Sequence, residues 1–205
     1  MAEIINLKLT MNYLAKLISY ATHPFILFIL PFSLIQTILD EAFNLDPSLK
    51  LLAIVQLPLL ILLLTMVKSG YVSNFNVSQP SQRTRLYKIF IPALIILVAL
   101  FIAMFPDYTE TLLIILSIAM VQVFLLKLIY KKYRIKGSYH MAMQGTLLSI
   151  ALYFYSPVVS FILLVLCGVV AWGRITIKEH SNKEVLIGWI IGIIPTLILL
   201  KLLIN

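Results

Sequence analysis

Seven apolar stretches, each about as long as a bilayer's hydrocarbon core is thick, govern what this chain can fold into. A spanning helix needs about 20 mostly apolar residues. The sequence supplies such runs at roughly 17–39, 49–71, 86–105, 110–130, 138–155, 157–173 and 184–204. Turn-forming residues divide them: Asp46-Pro47, Ser73 to Gln82, Pro106-Asp107, Gly137-Ser138, Ser156-Pro157 and Ser181-Asn182. Only Pro106 to Thr109 parts the third run from the fourth, so those two also read as one helical hairpin. The expected fold is therefore an all-α, polytopic transmembrane bundle of about six to seven spans. It forms one domain over 1–205, with N-terminal helices at 1–70 leading into a core at 71–205.

Composition narrows the function. Of 205 residues, 61% are hydrophobic and 12% charged, against about 45–50% and about 25% in soluble domains. A water-soluble enzyme, a disordered tail and a nucleic-acid-binding module are excluded. The single cysteine, Cys167, excludes a disulfide framework and a multi-cysteine metal site. Residues 1–16 mix Glu3, Lys8 and Lys16 with apolar residues and read as an interfacial helix, not a cleaved signal peptide. Pro31, Pro58, Pro92 and Pro195 fall inside runs and read as tolerated kinks.

Charge sets orientation. Of the sixteen basic residues, all but Lys50 and Lys201 fall on or near the face that carries the N-terminus and the loops 72–85, 131–137 and 174–183. Asp40, Glu41, Asp46, Asp107 and Glu110 lie towards the other face. Basic loops mark the cytoplasmic side, so the basic face is expected there.

That face also gathers chemistry. His140 lies at the start of one run, in Lys136-Gly137-Ser138-Tyr139-His140. His180 lies at the entrance to the last, six residues after Arg174 and four before Glu184. Arg83 and Arg85 close the loop after the second run and are not separable by sequence. Cations, two imidazoles and a carboxylate suit phosphoryl transfer, whose catalysis is mostly positioning and electrostatic stabilisation. Arginine's planar fork grips phosphate oxygens. One imidazole can attack phosphorus and a second can protonate the leaving group. Glu184, one helical turn after His180, is placed to orient its ring.

The spacing Arg174, His180, Glu184 resembles the third motif of the type-2 phosphatidic acid phosphatase superfamily, integral-membrane lipid phosphatases related to vanadium haloperoxidases. Ser138-Tyr139-His140 resembles its second motif, Pro-Ser-Gly-His, and Gln79 to Arg85 resembles its first. Gly188 and Gly192 resemble the small-residue helix that follows in bacterial members. Five positions depart from the pattern: Gln79 or Asn76 stands where a lysine is expected, Thr84 for proline, Tyr139 for glycine, Gly173 for serine and Glu184 for aspartate. The resemblance implies a phosphatase-like core from about 71 to 205, in a bacterial inner membrane. In it His180 is the nucleophile, His140 the general acid, and Glu184 the holder of the His180 tautomer. Arg174, Arg83 and Ser138 bind phosphate, with Arg85, Tyr139 and Lys136 as further candidates. It implies no metal and no cofactor; the partners are a lipid or polyprenyl phosphate substrate and membrane lipids.

Plainer readings stand beside these. Lys178 and Lys183 read as flank charges. Ser181 and Glu184 form a capping box, Ser-x-x-Glu. His23, before Pro24, reads as structural, with a place lining the site as the alternative. Gly188 and Gly192 read as a helix contact inside the bundle. Two other functions compete: a catalytically impaired relative that binds phospholipid headgroups, and a small transporter or structural membrane protein. The absence of ionisable residues at span centres argues against transport.

Overall fold

The computed structural model describes residues 2–40, 45–73, 80–154 and 157–204; the side chains of 2–8, 25, 26, 80, 81, 83 and 84 lie outside that description. Every regular element among the described residues is helical. Helix α1 runs Ala2–Ala21, α2 Pro24–Leu27 and α3 Ile29–Leu39. Helix α4, Asp46–Leu51, passes through a π-helical stretch, Leu52–Gln56, into α5, Leu57–Lys68. Helix α6, Pro80–Met104, joins α7, Thr109–Tyr133, through a 3-10 turn at Pro106–Tyr108. Helices α8, Tyr139–Tyr153, α9, Pro157–Thr176, and α10, Asn182–Leu203, complete the bundle.

Among the described residues, five segments are long and apolar enough to cross a membrane: Asp46–Lys68, Arg85–Met104, Pro106–Tyr133, Pro157–Thr176 and Asn182–Leu203. The two other expected spans differ from a simple crossing helix. The run 17–39 is broken at His23-Pro24. A residue before proline is pushed out of the α region, so α1 ends at Ala21 and a new helix starts at Pro24. The Tyr20 carbonyl, which Pro24 cannot reach with an N–H, accepts the His23 amide at 3.1 Å, and the Leu27 amide donates to the His23 carbonyl at 3.0 Å. Helix α8 has 15 residues, which at about 1.5 Å per residue reach only about 22 Å, short of the ~30 Å hydrocarbon core. It has no need to meet lipid. Every residue from His140 to Ala151 is buried, as befits a helix enclosed by others.

Proline also shapes α5. Pro58 cannot donate to the i−4 carbonyl, and the π-helical stretch ends two residues before it, a common way to absorb a helix irregularity. Pro92 and Pro195 sit inside α6 and α10.

Small residues let α8 and α10 meet at backbone distance. A Cβ added to Gly188 would lie 2.2 Å from the Ser138 carbonyl oxygen, and one on Gly192 2.2 Å from that of Ala142. From the α8 side, a Cβ on Gly145 would lie 2.7 Å from the Trp189 carbonyl oxygen. The pair Gly188 and Gly192 thus packs inside the bundle, as expected. Below this crossing the Gln122 amide donates to the hydroxyls of Thr146, at 2.6 Å, and Thr196, at 3.2 Å, joining α7, α8 and α10. Such interhelical bonds are worth roughly 0.6–2 kcal/mol each in a bilayer. Towards the far end, Phe32, Ile35, Leu51, Phe101, Leu112 and Leu200 form the main apolar core.

Candidate active site

The end of α9 makes the site possible. Arg174 lies in its last turn and is 3% exposed. Two residues past the helix Lys178 turns left-handed, φ 57°, at a cost of roughly 1–2 kcal/mol for a residue with a Cβ. The Ile177 amide donates to the Gly173 carbonyl and the Lys178 amide to that of Ile175, at 3.1 and 3.0 Å. The reversal then brings the amides of Glu179 and His180 back to the Arg174 carbonyl, at 3.2 and 3.4 Å. His180 is in this way set beside Arg174. Lys178, read as a flank charge, earns its place as the hinge of the turn.

Ser181 starts α10 with the expected capping box. Its hydroxyl accepts the Glu184 amide at 3.4 Å, and Glu184 Oε2 accepts the Ser181 amide at 2.9 Å. The same Oε2 lies 3.3 Å from His180 Nδ1, without the alignment of a hydrogen bond. Glu184 Oε1 accepts the Lys136 amide at 3.2 Å, and its main-chain carbonyl accepts the Ser138 amide at 3.0 Å. One glutamate therefore fastens the α7–α8 connection to the start of α10 and faces the His180 ring.

Burial first, and then the positive charges of Arg174 and Lys136, pull the His180 pKa down to about 4 against the pull of Glu184. The ring is neutral at pH 7, as a nucleophile must be.

From α8 come Ser138 and His140. Ser138 is fully buried at the N-cap position, its Oγ has no partner among the described residues, and it makes no capping bond. His140 is buried within the electrostatic reach of Arg174, His23 and His180. Four residues on, and so on the same face of α8, Gln144 is fully buried with both amide atoms unpartnered. Buried polar atoms are almost always bonded. Here Ser138 Oγ, the Gln144 amide and Arg174 Nε have no hydrogen-bond partner among the described residues, and His180 Nδ1 has only the unaligned Glu184 carboxylate.

Among the expected site residues, the structure brings together His140, Arg174, His180, Glu184, Ser138 and Lys136. Arg85 is exposed near the start of α6, and no described bond or ion pair links it to this group. Tyr139 is half-buried and lies within reach of Tyr87 on α6. The Arg83 side chain, Asn76 and Gln79 lie outside the described residues. No group of three or more His, Cys, Asp or Glu side chains among the described residues is arranged to hold a metal.

Two further members come from the N-terminal helices. The Ser19 hydroxyl accepts a hydrogen bond from Arg174 Nη1, and the Ser19 carbonyl lies 3.2 Å from His140 Nε2. The rings of His23 and His140 meet edge to face, centroids 5.2 Å apart. His23, read as structural, stands against the site; the Pro24 break that put it there was visible in the sequence. Ser19 gave no sequence signal, because it arrives only by packing of α1 on α9. There Gly173 faces Ala15 and Ile18, with a Cβ at Gly173 meeting the Ala15 carbonyl at 3.4 Å.

No family model matches the chain, and neither a curated protein nor a solved structure matches it.

Proposed function

We propose that this membrane protein hydrolyses a phosphate or diphosphate ester of a lipid or polyprenol through a phosphohistidine. The observation that carries the reading is the meeting of His140, Arg174 and His180 in one buried locus at the end of the bundle. Arg174 and His180 share a turn, and Ser19 contacts both Arg174 and His140. In the proposed reaction His180 Nε2 attacks phosphorus while its Nδ1 faces Glu184. The bond from phosphorus to the lipid oxygen breaks, and His140 gives that oxygen its proton. Water then attacks phosphorus, the phosphorus–nitrogen bond breaks with its electron pair returning to His180 Nε2, His140 takes the water's proton, and phosphate leaves. Arg174 and the free Ser138 hydroxyl are suited to the phosphoryl oxygens. The apolar surfaces of the surrounding helices suit the acyl or prenyl chain. The excess of basic residues on the site's face supports a cytoplasmic orientation, in a bacterial inner membrane.

The exposure of Arg85, with no described contact to the cluster, favours a second reading, a headgroup binder without turnover. One experiment decides between them. Purified protein and its His180→Ala variant are offered a panel of polyprenyl and glycerolipid phosphates in detergent. Phosphate release by the parent alone supports the phosphatase. Binding of orthovanadate or phosphate without release from any substrate leaves the headgroup binder.

A further inference from the structure

Ser19 touches two of the site's functional groups with two different atoms. Its hydroxyl engages Arg174 Nη1 and its carbonyl engages His140 Nε2, across 155 and 121 residues of sequence. Ser19 is 2% exposed, although most of α1 around it is exposed. The one face of α1 that is inserted is the one that reaches the site.

The consequences follow from donor and acceptor chemistry. A carbonyl oxygen can only accept, so His140 must carry a proton on Nε2. Its Nδ1 is then the nitrogen left to exchange a proton with a substrate. On Arg174, Nη1 lies on the side of the guanidinium nearest Cδ. The opposite edge, Nε with Nη2, is the parallel pair of donors that matches two phosphoryl oxygens. Ser19 occupies Nη1 and leaves that edge available. Nε is buried without a partner among the described residues, and Nη2 has Glu179 Oε2 at 4.0 Å, the outer limit of an ion pair.

Resting on the phosphatase reading above, we propose that Ser19 is a positioning residue of the site. By this inference α1 is part of the catalytic unit and not only a membrane-surface helix. The Ser19 hydroxyl turns the free edge of Arg174 towards the phosphoryl group, and its carbonyl assigns Nδ1 as the working nitrogen of His140.

The two contacts separate by mutation. Ser19→Ala removes the hydroxyl and keeps the carbonyl; Ser19→Thr keeps both. Turnover of phosphatidic acid and a polyprenyl phosphate, and inhibition by orthovanadate, are measured for both variants and the parent. Ser19→Ala is expected to raise KM and the vanadate inhibition constant together, by about 10–100-fold for a lost bond to a charged group. The shape of the pH profile should stay as in the parent, because the carbonyl contact persists. Ser19→Thr should restore both constants to within a few-fold. Should Ser19→Ala lose its helicity in detergent, Ser19→Val against Ser19→Thr gives the same comparison at matched shape. Parental KM and vanadate inhibition in Ser19→Ala, or tighter binding, overturns the role of Ser19 while leaving the phosphatase reading intact. If the parent turns over no substrate, vanadate binding followed by protection from thermal unfolding still tests Ser19. Weakened binding in Ser19→Ala alone supports it, and no binding by the parent overturns it.

Discussion

Lys50 and Arg174 sit at opposite ends of the bundle, and their surroundings differ in how completely they are answered. Lys50, in α4, is ion-paired with Asp46 one turn earlier and lies over the rings of Phe105, at 4.8 Å, and Tyr108, at 5.7 Å. Its cation is matched by a carboxylate and two aromatic faces, the usual end state of a structural charge. Arg174 is more deeply buried and less completely matched. One nitrogen is held by Ser19, one is at the edge of reach of Glu179, and Nε has no partner among the described residues. Stability alone favours the Lys50 arrangement, since an unmatched buried donor is costly. Buried polar atoms without a described partner also occur near Lys50, at Ser48 and Gln56; what sets Arg174 apart is that its unmatched donor stands beside two imidazoles, and in the proposed function that donor is the one left for a phosphoryl group.

This contrast can be broken by mutation at either end. The largest effect is expected from His180→Ala, which should reduce phosphate release about 10³-fold or more, as loss of a nucleophile does. Arg174→Ala should lower kcat/KM by about 10²–10³-fold, as loss of a transition-state donor does, with the helical content unchanged by circular dichroism. Gly188→Leu should act through structure. It forces the start of α8 away from α10, lowers Tm by overpacking worth about 1–3 kcal/mol or more, and takes activity with it by moving Ser138 and His140. Smallest of all should be Lys50→Met, with phosphate release within about twofold of the parent, as expected for an exposed ion pair. A large activity loss in Lys50→Met would erase the distinction between the ends.

Acidity sharpens the same comparison. The His180 pKa is about 4 in the folded protein and 6.5 for a free ring. Between these values the unfolded chain binds a proton at this position that the folded chain does not. By linkage, this residue makes stability fall as pH drops from about 6.5 to about 4, and it contributes no slope above that window. Thermal unfolding of the parent and His180→Gln across that range measures it, and the variant should show the shallower loss.

Much of the site was legible in the sequence because its pieces are local. Arg174, His180 and Glu184 lie within eleven residues. One helix end, one left-handed turn and one capping box suffice to assemble them. His140 was legible from its place at a run's start, and Gly188 from its spacing to Gly192. What the sequence hid depends on tertiary packing. Ser19 is an ordinary serine in an amphiphilic segment until α1 lies against Gly173. His23 was visible, but its neighbour His140 is more than a hundred residues away, and periodicity carries no information at that range. The span count was less secure for a related reason. Hydropathy cannot tell a lipid-facing span from α8, which is short and enclosed by the bundle, nor foresee that Pro24 divides the first run in two.

The most direct test of the account follows the phosphorus atom. A substrate labelled in the phosphoryl group and carrying a leaving group that departs without protonation, such as a nitrophenolate, is mixed with the His140→Ala variant, which lacks both the acid for a lipid alkoxide and the group that activates water, and the reaction is stopped in base. The account predicts an alkali-stable, acid-labile label on the peptide that contains His180. Label on another residue, or hydrolysis at the parental rate with no labelled peptide, would contradict it.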